Sequence, residues 1–197
     1  MTGPDAVILA GGASRRMGGG DKGLRQLGAS TVLGHVVDRV APQVGRLAIN
    51  ANGGAARFAA YRLPVLGDPV AGLPGPLAGV LAAMDWCDGA SVVTVAGDVP
   101  FVPRDLVGRL VAAARTTGAA VAASGGRWHG VCALWPVSAR GTVAAALARG
   151  ERRVGAVLGA LSPGVAGWPV TAPDGFFNIN TPDDLAAAER WLCSTPG

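Results

Sequence analysis

Short apolar runs recur along the chain, each followed by a polar or glycine-rich stretch and then by a segment with apolar positions at helical spacing. The runs Ala6–Leu9, Arg46–Ile49 (leading straight into asparagines), Leu63–Leu66, Ser91–Ala96, Ala119–Ser124 and Val131–Trp135 predict strands. Between them, Val32, Leu33, Val36, Val37 and Val40 mark one helical stripe, with Ser30 as its expected cap and Pro42 as its stop. Further helices are expected through Val80, Leu81, Ala83 and Met84, from Asp105 onward, from Ser138 to Arg149, and through Val154, Val157, Leu158 and Leu161. A last helix begins at Pro182, where Thr181 and Asp184 form a near capping box. Val92–Ala96 is apolar on both faces, as a central strand of a parallel sheet must be. The six-residue link from Gly125 to Gly130 forces its two strands to be antiparallel neighbours, and Trp168-Pro169-Val170 is expected at a sheet edge. The pattern is that of an α/β domain, mostly parallel, with one antiparallel strand in its second half.

At 197 residues, half of them hydrophobic, the chain is read as a single domain over 1–197 with a core of small aliphatic side chains. The net charge of +4 invites a nucleic-acid reading, which requires clustered cations. Clustering is thin: Lys22 is the only lysine, and the basic pairs are Arg15-Arg16 and Arg152-Arg153. No nucleic acid is therefore expected as a partner. Cys87, Cys132 and Cys193 have neither disulfide-framework nor zinc-site spacing, and no apolar run approaches the ~18 residues of a membrane span. A reduced, cytoplasmic setting without membrane contact is the expectation.

Candidate chemistry gathers where strands end. Leu9-Ala10-Gly11-Gly12-Ala13-Ser14-Arg15-Arg16-Met17-Gly18-Gly19-Gly20-Asp21-Lys22 joins five glycines to three cations directly after a strand, which suits a phosphate cradle. In open α/β sheets the ligand crevice lies at the carboxyl ends of the strands. Asn50 and Asn52 end one strand there, where a base or ribose could be read, while Asn52-Gly53-Gly54 alternatively serves as a turn. Asp68 ends another, before the glycine- and proline-rich stretch Pro69 to Gly79. Asp98 follows Gly97 at the end of the central strand, where a carboxylate beside a phosphate loop suggests a Mg²⁺ ligand. Asn178 and Asn180 lie in an extended run with their side chains on one side. They either cap the following helix or complete the site opened by Asp98. His35 lies beside an apolar stripe and reads as a structural histidine.

This ordered set resembles the Rossmann-like nucleotidyltransferase superfamily. The signature Leu9-Ala10-Gly11-Gly12 with Ser14, Arg16, Met17, Gly18, Asp21 and Lys22 is similar to that group's loop. Asn50-Ala51-Asn52, Gly75-Pro76-Leu77-Ala78-Gly79, Gly97-Asp98-Val99-Pro100, Gly150-Glu151-Arg152-Arg153-Val154 and Asn178-Ile179-Asn180-Thr181-Pro182 look like the molybdenum cofactor guanylyltransferases within it. Gly130 departs from the proline that related sequences can carry there. The resemblance implies a three-layer fold with a nucleotide-binding half over about 1–105 and an acceptor-binding half over about 106–197. It implies transfer of GMP from GTP to the terminal phosphate of molybdopterin with Mg²⁺, and molybdoenzymes or cofactor-insertion proteins as further partners. Carried over by position, Leu9, Ala10, Gly11 and Gly12 would contact the nucleotide through the backbone, with Gly79 also in the nucleotide site. Arg16 and Lys22 would hold the triphosphate, and Asn50 and Asp68 would select guanine. Asp98 would bind the metal, with Asn178 or Asn180 supporting it. Trp128 and His129, at a hairpin tip, either stack on the pterin or pack locally; Arg152 and Arg153 either bind its phosphate or start a helix. Rival readings are a cytidylyltransferase of the same fold, against which Gly12 speaks, a sugar- or polyol-phosphate transferase of that fold, against which the shortness of the chain speaks, and a non-catalytic cofactor chaperone, against which the joint presence of Lys22 and Asp98 speaks.

Overall fold

The computed structural model describes residues 3–11, 21–69 and 75–194. In chain order the strands are β1 (Asp5–Leu9), β2 (Gln26–Leu27), β3 (Ser30–Thr31), β4 (Leu47–Asn50), β5 (Val65–Leu66), β6 (Ser91–Ala96), β7 (Ala120–Ser124), β8 (Arg127–Pro136) and β9 (Gly164–Trp168). The α-helices are α1 (Val32–Val40), α2 (Pro76–Trp86), α3 (Leu106–Ala113), α4 (Arg140–Ala148), α5 (Val154–Ala160) and α6 (Pro182–Ser194). Seven strands make one sheet in the order β5-β4-β1-β6-β8-β7-β9, and β2 and β3 pair separately. β8 runs against both its neighbours; every other pairing in the large sheet is parallel.

Alternation along the strands produces the three layers. On one face Ala6, Ile8, Ile49, Val93 and Val95 meet Leu33, Val36 and Val40 of α1 and Leu106 and Leu110 of α3. On the other, Val7, Leu9, Ala48 and Val92 meet Leu77, Val80, Leu81 and Met84 of α2, Val143 and Leu147 of α4 and Val157 and Leu158 of α5. A small third cluster, Leu27, Val32, Phe101, Ile179 and Ala188, fastens α6 and the β2–β3 hairpin to the strand ends. The expected mostly parallel α/β sheet with one antiparallel strand is thus the observed fold.

Local details differ from the sequence reading in three places. Thr31, not Ser30, caps α1: the helix starts at Val32, directly after the β3 residues Ser30 and Thr31, and Thr31 Oγ1 accepts the Gly34 N–H at 3.0 Å. The edge strand is Gly164–Trp168, ending before Pro169, which has no N–H to offer. The tip of the β7–β8 hairpin is Gly125-Gly126, both at positive φ, and His129 lies half-buried three residues inside it. β8 also carries a bulge, since Val121 pairs with Ala133 whereas Ala122 pairs with His129. Residues 130–132 are therefore extra. Thr94 Oγ1 donates to the displaced Val131 carbonyl at 2.7 Å and accepts the Trp135 indole N–H at 3.0 Å, which satisfies the buried polar atoms around the bulge.

Candidate active site

β1 sits between β4 and β6, with Leu9 registered against both Asn50 and Ala96. The chain leaves β1 in one direction to reach β4 and returns on the other side as β6, which places the ligand crevice of such a sheet at these three strand ends. The ends are drawn together by backbone bonds: Ala10 N–H to Asn50 O at 2.9 Å and Gly97 N–H to Leu9 O at 3.0 Å. A Cβ on Gly97 would lie 3.1 Å from both Ala10 Cα and Leu9 O, so a side chain there would push the strands apart. Beyond them a cavity of about 220 Å³ is lined by Leu9, Ala10, Gly11, Lys22, Gly97, Asp98 and Asn178, among others.

Four polar side chains from distant parts of the sequence converge at the cavity. Lys22 Nζ donates to Asn180 Oδ1 at 2.8 Å and lies 3.5 Å from Asp98 Oδ2 as an ion pair. Asn178 Nδ2 donates to Asp98 Oδ1 at 2.9 Å, and the Ile179 N–H donates to the Asp98 carbonyl at 2.9 Å, so the segment before α6 is stitched to the end of β6. The turn is fixed from below by Asp184, whose Oδ2 accepts the N–H groups of Asn180 and Thr181 at 2.9 Å each while its own N–H bonds Thr181 Oγ1 at 3.1 Å. Burial alone would raise the Asp184 carboxyl; these hydrogen bonds and the nearby Lys22 charge outweigh it and hold the group below its ordinary value. The capping box expected at Thr181 and Asp184 is present, and the two asparagine side chains are not part of it: Asn178 bonds Asp98 and Asn180 bonds Lys22.

A second cluster forms at β4 and β5. Asn50 is only 4% exposed, and its Nδ2 donates to Leu66 O at 3.1 Å and Asp68 Oδ1 at 3.0 Å. Asn52 makes a reciprocal clasp, Nδ2 to Asp68 Oδ2 at 2.6 Å and Asp68 N–H to Asn52 Oδ1 at 2.9 Å. Gly79, in α2, leaves room for Asn50: a Cβ there would stand 2.4 Å from Asn50 Oδ1. Arg57 then ties the end of the glycine loop to this strand end, through an ion pair to Asp21 and a hydrogen bond to the Asn52 carbonyl at 2.6 Å.

A further cavity of about 320 Å³ adjoins the first, sharing Ala96, Val131 and Asn178 with it, and is walled by the β8 bulge and Phe176. His129 is stacked on Phe176, with centroids 4.3 Å apart and planes 12° from parallel, whereas Trp128 is 42% exposed. Cys132, also on this wall, is fully buried, and desolvation pushes its thiol up to about 12, so it carries no nucleophile at neutral pH. Glu151 accepts from the backbone N–H of Arg152 and from the backbone and guanidinium of Arg153. The guanidinium bond above all holds its carboxyl down at about 2. His35 is structural as expected, its Nε2 lying 2.8 Å from Leu27 O.

Sequence reasoning thus named Leu9, Ala10, Gly11, Lys22, Asp98 and Asn178, which line one cavity, with Asn180 beside them, and Asn50, Asp68 and Gly79, which form the neighbouring cluster. Gly12 and Arg16 lie outside the described residues. Asn52, for which the sequence offers both a nucleotide contact and a turn, joins the second cluster. Arg57, Ser124 and Asp174 were missed, because they carry no local motif. Among the described residues no group of three or more His, Cys, Asp or Glu side chains could hold a metal ion. Asp98 presents a lone carboxylate on the first cavity, a donor that fits Mg²⁺, which takes one or two carboxylates and completes its shell with water and substrate oxygens.

Similarity to known proteins follows the same geography. A profile for the MobA-like NTP transferase domain matches residues 6–163. The chain is 50% identical over 201 residues to a molybdenum cofactor guanylyltransferase of Rhodopseudomonas palustris (strain HaA2), covering 98% of this chain and 94% of that protein. It is 49% identical over 192 residues to one from Bradyrhizobium sp. (strain ORS 278), covering 93% and 91%. Among solved structures, molybdopterin-guanine dinucleotide biosynthesis protein A from Archaeoglobus fulgidus superposes with a TM-score of 0.76 at 26% identity, over 96% of this chain and 98% of that one. The matched segment holds the crevice at β1, β4 and β6 with Lys22, Asp68 and Asp98, and the chain belongs to the MobA-like NTP transferase family of nucleotidyltransferases.

Proposed function

We propose that this chain transfers GMP from GTP to the terminal phosphate of molybdopterin, forming the guanine dinucleotide and pyrophosphate. The observation that carries the reading is the convergence of Lys22, Asp98, Asn178 and Asn180 at the end of β1 and β6, in a chain half identical to relatives bearing that activity in their names. An acceptor phosphate oxygen attacks the α-phosphorus of GTP, and the bond from that phosphorus to the bridging oxygen of the β-phosphate breaks. A phosphate monoester is largely dianionic at neutral pH, its second pKa being about 6, so no general base is required. Alignment and charge stabilisation suffice, which matches a site built from one cation, one carboxylate and two amides.

In this reading the backbone from Leu9 to Gly12 lies against the nucleotide, the N–H groups of Gly11 and Gly12 cradling the phosphates while the Ala10 N–H stays with the Asn50 carbonyl, and Lys22 and Arg16 neutralise them. Lys22 exchanges its contact with Asp98 for phosphate oxygens and keeps its hydrogen bond to Asn180, which leaves the carboxylate available. Asp98 would hold Mg²⁺, whose charge offsets the negative charge building on the transferring phosphoryl group. Asn178 keeps the Asp98 carboxylate in place. Asp68 is held at both oxygens by Asn50 and Asn52 and retains lone pairs on each, an acceptor pair suited to the N1–H and N2 amino donors of guanine. Cytosine presents a ring-nitrogen acceptor at that edge and would be repelled. The nucleotide is handled by residues up to about 105 and the acceptor by those from about 106. Molybdoenzymes or cofactor-insertion proteins would receive the product, in the cytoplasm; among the described residues no helix is long and apolar enough to cross a membrane.

The test is pyrophosphate release by the purified protein given Mg²⁺, molybdopterin and either GTP or CTP. Release with GTP alone is expected; equal rates with CTP would overturn the guanine assignment.

A further inference from the structure

We propose that His129 recognises the acceptor's ring system, offering an Nδ1 lone pair in the second cavity to a ring N–H or amino donor; this rests on the transferase reading above. Two side chains, Ser124 and Asp174, fix that lone pair. Ser124 Oγ lies 3.0 Å from Asp174 Oδ2 and 2.8 Å from His129 Nε2. A carboxylate only accepts, and a hydroxyl has a single proton to give, so Ser124 donates to Asp174. Its oxygen must then accept from His129 Nε2–H. The neutral imidazole is left with its lone pair on Nδ1, which meets no partner among the described residues.

The surroundings make this a rigid arrangement. Ser124 is 6% exposed, and Asp174 Oδ1 also accepts the Phe176 N–H at 2.8 Å. Phe176 covers one face of His129 and is itself held edge-on by Trp168, with centroids 5.3 Å apart. The order of the three polar groups excludes a nucleophilic triad, in which the histidine stands between the acid and the hydroxyl. Here the buried serine stands in the middle, and its hydroxyl is committed on both sides. Packing alone would be served as well by a second phenylalanine. A serine and an aspartate spent on one imidazole tautomer have a use only if the remaining nitrogen is read by something.

The reader is identified by shape and by donors. His129 and Phe176 line a cavity of about 320 Å³ that shares Val131 and Asn178 with the phosphate cavity, so a molecule with its rings at His129 has its phosphate toward Asp98. The class that fits is a flat fused heterocycle carrying adjacent ring N–H and amino donors, of which a pterin is one; a sugar phosphate has neither the flat face nor the ring N–H.

The experiment varies molybdopterin at saturating GTP and Mg²⁺ and reads pyrophosphate release. His129→Phe keeps the stacked ring and removes Nδ1, and is expected to raise the acceptor KM about tenfold while kcat and GTP affinity stay unchanged. His129→Asn, whose amide oxygen can stand near the Nδ1 position, is expected to recover most of that loss. Should His129→Phe fail to fold, Ser124→Ala serves, because it frees the tautomer and is expected to raise the acceptor KM with kcat unchanged. An unaltered acceptor KM in a folded variant overturns the proposal. Absence of turnover in the wild type would sink the transferase reading instead, and binding of a free pterin carboxylic acid, followed by its fluorescence, then decides for His129. Weaker binding by His129→Phe than by wild type supports the role; equal binding, or none by the wild type, overturns it.

Discussion

Lys22 Nζ donates to Asn180 Oδ1 at 2.8 Å, joining the end of the glycine loop to the residues just before the last helix. The same ammonium stands 3.5 Å from Asp98, so Asn180 orients the cation without neutralising it. Lys22→Ala is therefore expected to weaken GTP binding about 10–100-fold, the loss of a charge-assisted contact to phosphate. Asn180→Ala is expected to cost less, about two- to fivefold, because the charge remains and only its direction is freed. Calorimetric titration with GTP distinguishes them, and equal losses would mean that the amide does more than orient Lys22.

Asp98 is held by Asn178 at one oxygen and by the Ile179 N–H at its carbonyl. Asp98→Asn preserves size and leaves the backbone bond intact, so the midpoint of thermal unfolding should stay within a few degrees. Turnover in the pyrophosphate assay should fall by about 10²-fold or more, as when a group stabilising transition-state charge is removed. A large fall in unfolding temperature with little loss of turnover would make Asp98 structural.

How much of this was legible depended on whether a residue's partner lay nearby in sequence. Asp98 could be read because a β-branched run ends on Gly97-Asp98 and prolines delay the next helix, all within a dozen residues. Asn52 was legible only in part, because its strand end offers a nucleotide contact while Asn-Gly is a turn signal, and the Asp68 that it clasps is 16 residues away. Arg57 has no motif, and its ion pair with Asp21 exists only once β1 and β4 lie side by side. The layers followed from strand alternation, yet the β8 bulge did not, since a bulge arises from cross-strand register, which one strand's own pattern does not encode. His129 accordingly looked like part of an exposed tip, whereas the turn closes earlier, at two glycines.

Gly79 and Gly141 separate two uses of glycine on helices. A methyl at Gly79 would meet Asn50 Oδ1 at 2.4 Å, and that amide is pinned between Leu66 and Asp68. Gly79→Ala should therefore destabilise the fold by about 1–3 kcal/mol and, by displacing Asn50, weaken GTP binding as well. Gly141, near the start of α4, has nothing within 4 Å of an added Cβ. Gly141→Ala should leave GTP binding unchanged and stabilise by up to about 1 kcal/mol. Chemical denaturation with parallel GTP titrations checks both signs.

His129 also gives stability a pH dependence of known sign. Burial lowers its pKa below the ordinary 6.5, the Arg127 charge lowers it further, and Asp174 pulls weakly the other way. With the folded value below the unfolded one, protonation favours the unfolded chain. The stability contributed by the neutral ring is complete above about pH 6.5 and is lost as pH falls from there through the folded value. His129→Asn has no titrating group at the site and retains a polar side chain for Ser124. The difference in unfolding temperature between wild type and variant should therefore be constant from about pH 8 to about pH 7 and should shift toward the variant below about pH 6. Other titrating groups cancel in that difference, because both proteins carry them. A constant difference through the acid range would show that Asp174 compensates the cost of burial and Arg127, and that the imidazole charges in place without loss.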